Sequence, residues 1–297
     1  MIEFKEVTKS FGGQKALDGL DLHVPQGTVY GLVGENGAGK STAIRLMTGA
    51  VRPDRGEVRV LGEPVFENRA VKSRMAMIPD EIFYFNTANL RDMAQFYAGV
   101  YPSFDRALYG RVAEGFALPE KKLLRDYSRG MVKQAAFLLA ISIRPDVLLL
   151  DEPVDGLDPV MRRQVWSLVL QEVAERGVTV LVSSHNLREL EDVCDHVGIL
   201  HRGKMLLERS LSELEGGVSK VQAVLPEGAV LPTGLDLLHR SAQGKLETLI
   251  VRGPREHTEN LLATVHPLYC EIVPLTLEEI FLYELGGVDY DVKSILL

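Results

Sequence analysis

The nine residues Gly34-Glu35-Asn36-Gly37-Ala38-Gly39-Lys40-Ser41-Thr42 constrain this chain more than any other segment. They fit the pattern G-x-x-x-x-G-K-[ST], and their surroundings fit as well. The apolar run Thr28-Val29-Tyr30-Gly31-Leu32-Val33 before them reads as a buried strand, and the stretch through Met47 after them reads as a helix. Glycines let a backbone wrap closely around a phosphate, so that successive N–H groups and the positive end of the following helix neutralise it. In such a loop Lys40 reaches the β- and γ-phosphates and the Ser41 hydroxyl ligates Mg²⁺. The segment predicts a chain that binds a nucleoside triphosphate.

A length of 297 residues accommodates about two domains with real cores. The formal net charge of −8 comes with no basic tract, which argues against a nucleic-acid-binding module. No run approaches the ~18 apolar residues of a membrane span, and the N-terminus does not read as a signal peptide. The two cysteines, Cys194 and Cys270, are far apart and form no metal-binding spacing. They read as reduced core thiols of a cytosolic protein.

Hydrophobic patterning gives the organisation. Ile2-Glu3-Phe4, Leu20 to Val24, Gly56 to Val60 and Arg74 to Ile78 read as strands. From about 87 to 143 the period changes: Leu90, Met93, Phe96, Tyr97 and Val100 recur at helical spacing, which predicts an inserted helical subdomain. Strand patterns resume at Val147 to Leu150 and Val178 to Val182, separated by a helix over Pro159 to Arg176. Asp158 and Pro159 form a strong start for that helix. His196 to Glu208 suggests a hairpin turning at Arg202-Gly203-Lys204. The composition shifts near Gly216, which divides the chain into residues 1–215 and a small α+β appendage over 216–297. In the appendage, Thr276-Leu277-Glu278-Glu279 is a capping box opening an amphipathic helix with Leu277, Ile280, Phe281 and Leu285 on one face. The expected class is α/β: a phosphate-loop core with a mainly parallel sheet, an N-terminal antiparallel β subdomain, the helical insert and the appendage.

Three further segments carry chemistry. Val147-Leu148-Leu149-Leu150-Asp151-Glu152 delivers two carboxylates at the end of a buried strand, beside the phosphate loop in a sheet of this kind. Asp151 suits Mg²⁺, and Glu152 suits the orientation of an attacking water. His185 ends the next strand and could donate to a γ-phosphate or simply sit at the surface. Tyr127-Ser128-Arg129-Gly130-Met131 precedes a helical run, where Ser128 could offer an anion site or only an N-cap.

The order of phosphate loop, Ser-x-Gly helix start, Leu-Leu-Leu-Asp-Glu-Pro, Gly156-Leu157-Asp158-Pro159 and strand-end His185 resembles an ABC ATPase over residues 1 to about 210. Ile78-Pro79-Asp80-Glu81, the Tyr127–Met131 segment and Leu277-Glu278-Glu279-Ile280-Phe281 resemble, more narrowly, bacterial ATP-binding subunits of ABC-2-type exporters. The resemblance implies a head-to-tail pair, in which Ser128, Arg129, Gly130 and Met131 of one subunit close over ATP held by the other. It implies Asp158 at the dimer interface and Phe11 stacked on adenine, although Phe11 also reads as a core aromatic. A groove near Asp80 and the helical block would receive a short permease helix. Three residues in two segments depart from the family pattern. Asp80 replaces a glutamine and can still ligate Mg²⁺, while Arg129 and Met131 replace a glycine and a glutamine.

The expectation is a cytoplasmic Mg²⁺-dependent ATPase subunit on the cytoplasmic face of the cell membrane, powering an exporter. Its partners would be an integral permease and a second ATPase subunit, with no nucleic acid. Lys40, Glu152 and His185 would be catalytic, with Ser41, Asp80 and Asp151 around Mg²⁺. The alternatives are a non-transport ABC ATPase acting on a nucleic-acid or ribosomal partner, and a weakly active regulatory nucleotide-binding module.

Overall fold

The computed structural model describes residues 1–226 and 228–285, and within them two compact units. The first comprises Met1–His185 with Val193–Glu208. It opens with β1 (Ile2–Phe11) and β2 (Gln14–Val24), followed by β3 (Val29–Val33) and α1 (Lys40–Met47). Next come β4 (Arg55–Val60), β5 (Glu63–Pro64), α2 (Arg69–Lys72) and β6 (Met75–Ile78). The helical insert is α3 (Leu90–Val100), α4 (Arg106–Gly115) and α5 (Arg129–Ser142). The core returns with β7 (Val147–Asp151), α6 (Pro159–Arg176), β8 (Thr179–Ser184), β9 (His196–His201) and β10 (Lys204–Ser210).

Two sheets organise this unit. One has the order β2-β1-β4-β5, antiparallel throughout. The other has the order β10-β9-β3-β8-β7-β6, in which β9, β3, β8, β7 and β6 pair in parallel. Strands β3, β7 and β8 are buried along their length and largely apolar, as expected where helices cover both faces of a parallel sheet. One hydrophobic core joins Ile2, Phe4, Leu20 and Val58 of the first sheet to Leu32, Leu149 and Leu181 of the second and to Ile44 and Met47 of α1. The helical insert lies between the adjacent strands β6 and β7 and has its own core, with Leu90, Met93, Leu124, Leu138 and Leu139. Helix α6 starts and stops as its sequence dictates. Asp158 accepts from the N–H groups of Val160 and Met161, each at 2.9 Å, and Gly177 takes the left-handed conformation at the end (φ 66°).

The second unit comprises Asn186–Asp192 with the residues from Arg209 onward. It contains α7 (Leu211–Gly217), β11 (Val218–Val224), β12 (Asp236–Gln243), β13 (Leu246–Arg252), α8 (Arg255–Ala263), β14 (Tyr269–Val273) and α9 (Leu277–Leu285). Its sheet is antiparallel in the order β12-β13-β11-β14. Val221, Leu249, Val251 and, from α8, Leu262 form its core. Leu277 and Ile280 are buried on α9, whereas the side chains of Phe281 and Leu285 lie outside the described ones.

The composition shift places a boundary at 215/216, which α7 spans, and leaves 186–192 with the first unit. That short segment instead bonds to α9. Arg188 donates through Nε and Nη2 to Glu278 Oε2 at 3.0 and 2.8 Å, and the Leu277 N–H donates to Glu191 at 3.0 Å. Cys194 is buried, but Cys270 is exposed on β14 and is no core thiol. Among the described residues no helix is long and apolar enough to cross a membrane.

Candidate active site

The parallel order β3-β8-β7 brings three strand ends together. Val33 pairs with Ser184, and Ser183 with Asp151, so Gly34, His185 and Glu152 follow in adjacent positions along one edge. Backbone bonds fix the alignment: the Gly34 N–H donates to the Ser184 carbonyl at 3.3 Å, and the Glu152 N–H to that of Ser183 at 3.2 Å.

Glu35 to Gly37 and Gly39 to Thr42 line one wall of a cleft of about 350 Å³, together with Ala16, Asp80, Asp151 and Glu152. Gly39 sits at φ 114°, and a Cβ there would come within 2.6 Å of the Ala16 carbonyl oxygen, so no other residue fits. Gly39 is also the N-cap of α1 and supplies no side-chain acceptor, which leaves the first N–H groups of that helix available to an anion. Lys40 is only 6% exposed. Its Nζ donates to the carbonyls of Gly34 at 2.5 Å and Glu35 at 3.3 Å, and stands 3.5 Å from Glu152 Oε1. Glu35 turns its carboxylate to His201 Nδ1 at 3.0 Å.

Across the cleft, Asp151 is buried and accepts from the Ser183 hydroxyl at 2.5 Å. The same hydroxyl oxygen accepts from the Glu152 N–H at 3.2 Å. Glu152 has φ 47°, a left-handed conformation that costs a residue with a Cβ about 1 kcal/mol or more and persists only where its surroundings hold it. His185 Nδ1 lies 2.9 Å from Glu152 Oε2. Ser183 therefore bonds both the Asp151 carboxylate and the Glu152 backbone, a role that the sequence does not assign to it. The available signal was a pair of hydroxyls ending an otherwise apolar strand.

The remaining candidates stand elsewhere. Phe11 ends β1, where the β1–β2 hairpin turns; it is 47% exposed, with Lys9 Nζ 5.3 Å from its ring centroid, so it is no core aromatic. It is not among the residues lining the phosphate-loop cleft. Ser128 caps α5, its hydroxyl accepting from the Met131 N–H at 3.2 Å, and Arg129 beside it is exposed. This segment does not line the phosphate-loop cleft either. Tyr127 and Arg129 instead line a second cleft with Lys133, Asp155 and Gly156, and Asp80 borders both clefts. Asp158 is exposed at the start of α6.

The ABC transporter family matches residues 17–155, and a second family, described as AAA domain, putative AbiEii toxin, Type IV TA system, matches 121–191. The bacitracin transport ATP-binding protein BcrA of Bacillus licheniformis is 34% identical over 72% of this chain and 71% of its own length. The chain belongs to the ABC transporter ATP-binding proteins. The ABC transporter ATP-binding protein YtrB of Bacillus subtilis is 29% identical over 97% of this chain and 99% of its own, so that similarity includes the second unit. A solved structure described as the ATP binding subunit of an ABC transporter superposes with a TM-score of 0.67 at 26% identity. It covers 72% of this ABC protein and 92% of its own chain. This ABC subunit is an ATP-hydrolysing enzyme of a transporter.

Proposed function

We propose that this chain is the ATP-hydrolysing subunit of a membrane exporter and works as a head-to-tail pair. One observation carries the pairing: Ser128, Arg129, Gly130 and Met131 lie outside the lining of the cleft that holds Lys40 and Glu152. Ser128 and Arg129 are exposed at the start of α5. A second subunit turned the other way would bring its own Ser128 segment onto the nucleotide, with Asp158 at the seam.

In this reading Lys40 and the N–H groups at the start of α1 bind the β- and γ-phosphates, and the exposed Phe11 ring stacks on adenine. Glu152 orients a water whose oxygen bonds to the γ-phosphorus as the bond to the β,γ-bridging oxygen breaks, leaving ADP and phosphate. The water's proton passes toward Glu152, and His185 faces the γ-phosphate. Mg²⁺ neutralises phosphate charge when bound. Among the described residues no three His, Cys, Asp or Glu side chains gather closely enough to hold a metal alone. Ser41, Asp80 and Asp151 nonetheless border one cleft with hard oxygen donors, which suits an ion that takes most of its ligands from phosphate and water.

A groove lined by Ile78, Ile82, Phe83, Phe85, Phe96 and Tyr97 supports a permease partner. Phe83 is 73% exposed, and the rings of Phe83, Phe85 and Phe96 meet edge to face at 5.5 and 5.3 Å. An apolar patch of this kind suits the short cytoplasmic helix of a membrane protein. The names of relatives, bacitracin transport and daunorubicin/doxorubicin resistance ATP-binding proteins, support export and a place on the cytoplasmic face of the membrane.

The test is Glu152→Gln with Mg²⁺ and ATP, followed by light scattering and phosphate release. The variant should accumulate as an ATP-bound dimer and release no phosphate. Hydrolysis at the wild-type rate would remove Glu152 from its role, and a monomer at saturating ATP would remove the pairing.

A further inference from the structure

Helix α5 carries a lysine one turn past the Ser128 segment that the reading above does not use. Lys133 is half-buried. Its Nζ donates to the Glu152 carbonyl at 2.9 Å and to the Asp155 carbonyl at 2.8 Å. These two acceptors bracket the turn that leaves β7, and that turn begins with the left-handed Glu152. Val154, between them, is buried, so the turn is anchored from inside as well.

A left-handed residue with a Cβ stays in place only where several contacts determine it. At Glu152 those contacts come from two directions. Ser183 of β8 takes the N–H, while Lys133 of α5 takes the carbonyl. Rotating Glu152 to an ordinary conformation would reorient its peptide groups and break this pair of contacts. The carboxylate would then leave its position between Lys40 Nζ, at 3.5 Å, and His185 Nδ1, at 2.9 Å. A lysine suits the task because one ammonium offers three rotatable donors to two converging carbonyls.

We propose that Lys133 is a positioning residue for ATP hydrolysis: its ammonium fixes the Glu152 backbone and ties it to the Asp155 turn. That turn leads to Asp158, and α5 begins at Ser128. The lysine therefore links the helix that meets the opposite subunit's nucleotide to the carboxylate that acts on its own. This inference rests on the reading of Glu152 as the group that orients the attacking water.

The experiment uses the full chain with Mg²⁺ and ATP. Lys133→Met keeps the stem and removes the donors. It should lower kcat about tenfold to a hundredfold, the effect of losing hydrogen bonds from a charged donor. KM for ATP and the Kd of a fluorescent ATP analogue should stay within about twofold, because the phosphate loop is untouched. The melting temperature should hold, and Lys133→Arg, which restores a multiple donor, should recover most of the rate. A wild-type kcat in Lys133→Met would overturn the proposal. So would a loss shared by kcat, KM and melting temperature, the mark of a merely structural lysine. If Lys133→Met does not fold, Lys133→Gln is judged by the same split between kcat and KM. Glu152→Gln, run alongside, separates the two readings. Hydrolysis by that variant overturns the role of Glu152, whereas an inert Glu152→Gln beside a fully active Lys133→Met overturns only the role of Lys133.

Discussion

His185 Nδ1 stands 2.9 Å from Glu152 Oε2, so the residue expected to face the γ-phosphate is already engaged by the carboxylate expected to activate water. A neutral imidazole that donates Nδ1–H to a carboxylate has a bare Nε2 and cannot also donate to a phosphate. Serving both partners requires the imidazolium. On the proposed reading the pair would act as one unit, with His185 steadying Glu152 before ATP arrives and bridging it to the γ-phosphate afterwards. His185→Ala should lower kcat about tenfold to a hundredfold, as loss of a charge-assisted hydrogen bond does, with nucleotide affinity nearly kept. Phosphate release and equilibrium nucleotide binding on the same preparation check this. Unchanged turnover would detach the imidazole from the chemistry.

A second prediction concerns the joint between α6 and the end of α5. Glu172 is 6% exposed and accepts from Arg144 Nη1 at 3.0 Å and Arg176 Nη1 at 2.8 Å. Both arginines are partly exposed and can turn toward water when the carboxylate is lost. Removing it should therefore cost less than breaking a fully buried pair, about 2 kcal/mol. Glu172→Ala should melt roughly 5 °C lower, read by calorimetry or far-UV circular dichroism. A melting temperature within about 1 °C of wild type would show that the cluster contributes nothing net.

The thiols give a third. Burial, and then the charge of Asp195, pushes the Cys194 thiol well above its ordinary value. Cys270 is also raised, by burial and then by Glu259, but it stays exposed. Because the thiolate is the reactive species, iodoacetamide at neutral pH should modify Cys270 slowly and Cys194 only once the chain unfolds. Peptide mapping by mass spectrometry distinguishes the two. Equal labelling of the native protein would contradict the burial of Cys194.

The features legible in the sequence were those set by local chemistry. The phosphate loop, the carboxylates ending β7 and the bounds of α6 follow from short patterns: Gly39 before Lys40, four apolar residues before Asp151, Asp158-Pro159 at one end and Gly177 at the other. The first half of β2 was not legible. Gln14 to Gly19 lacks apolar alternation and becomes a strand because β1 pairs with it out to Phe11 and Gln14. Strand β12 is exposed along nearly its whole length, so periodicity could not signal it. Contacts of Glu152 with Ser183, His185 and Lys133 depend on the register of β7 with β8 and on the approach of α5, neither of which spacing along the chain reveals. The same holds for residues 186–192, which sequence continuity assigns to the first unit and α9 holds in the second.

The last prediction belongs to that second unit. Glu279 on α9 accepts from Lys220 Nζ of β11 at 2.5 Å and from the Thr276 N–H at 3.0 Å. Burial alone would raise its carboxyl, but the hydrogen bonds from Lys220 and Thr276 outweigh it and hold the group below its ordinary value of 4.5. A carboxylate depressed by folding contributes stability that is complete above the unfolded value and is lost as pH falls through the lower folded value. Hydrogen-exchange protection factors of the β11 amides should therefore hold steady from neutral pH down to about the ordinary carboxylate value and fall below it. In Glu279→Gln they should start lower at neutral pH and vary less on acidification, because the titrating group is gone and Lys220 has lost its counter-charge. Superimposable profiles for the two proteins would show that the contact does not help hold α9 to the sheet.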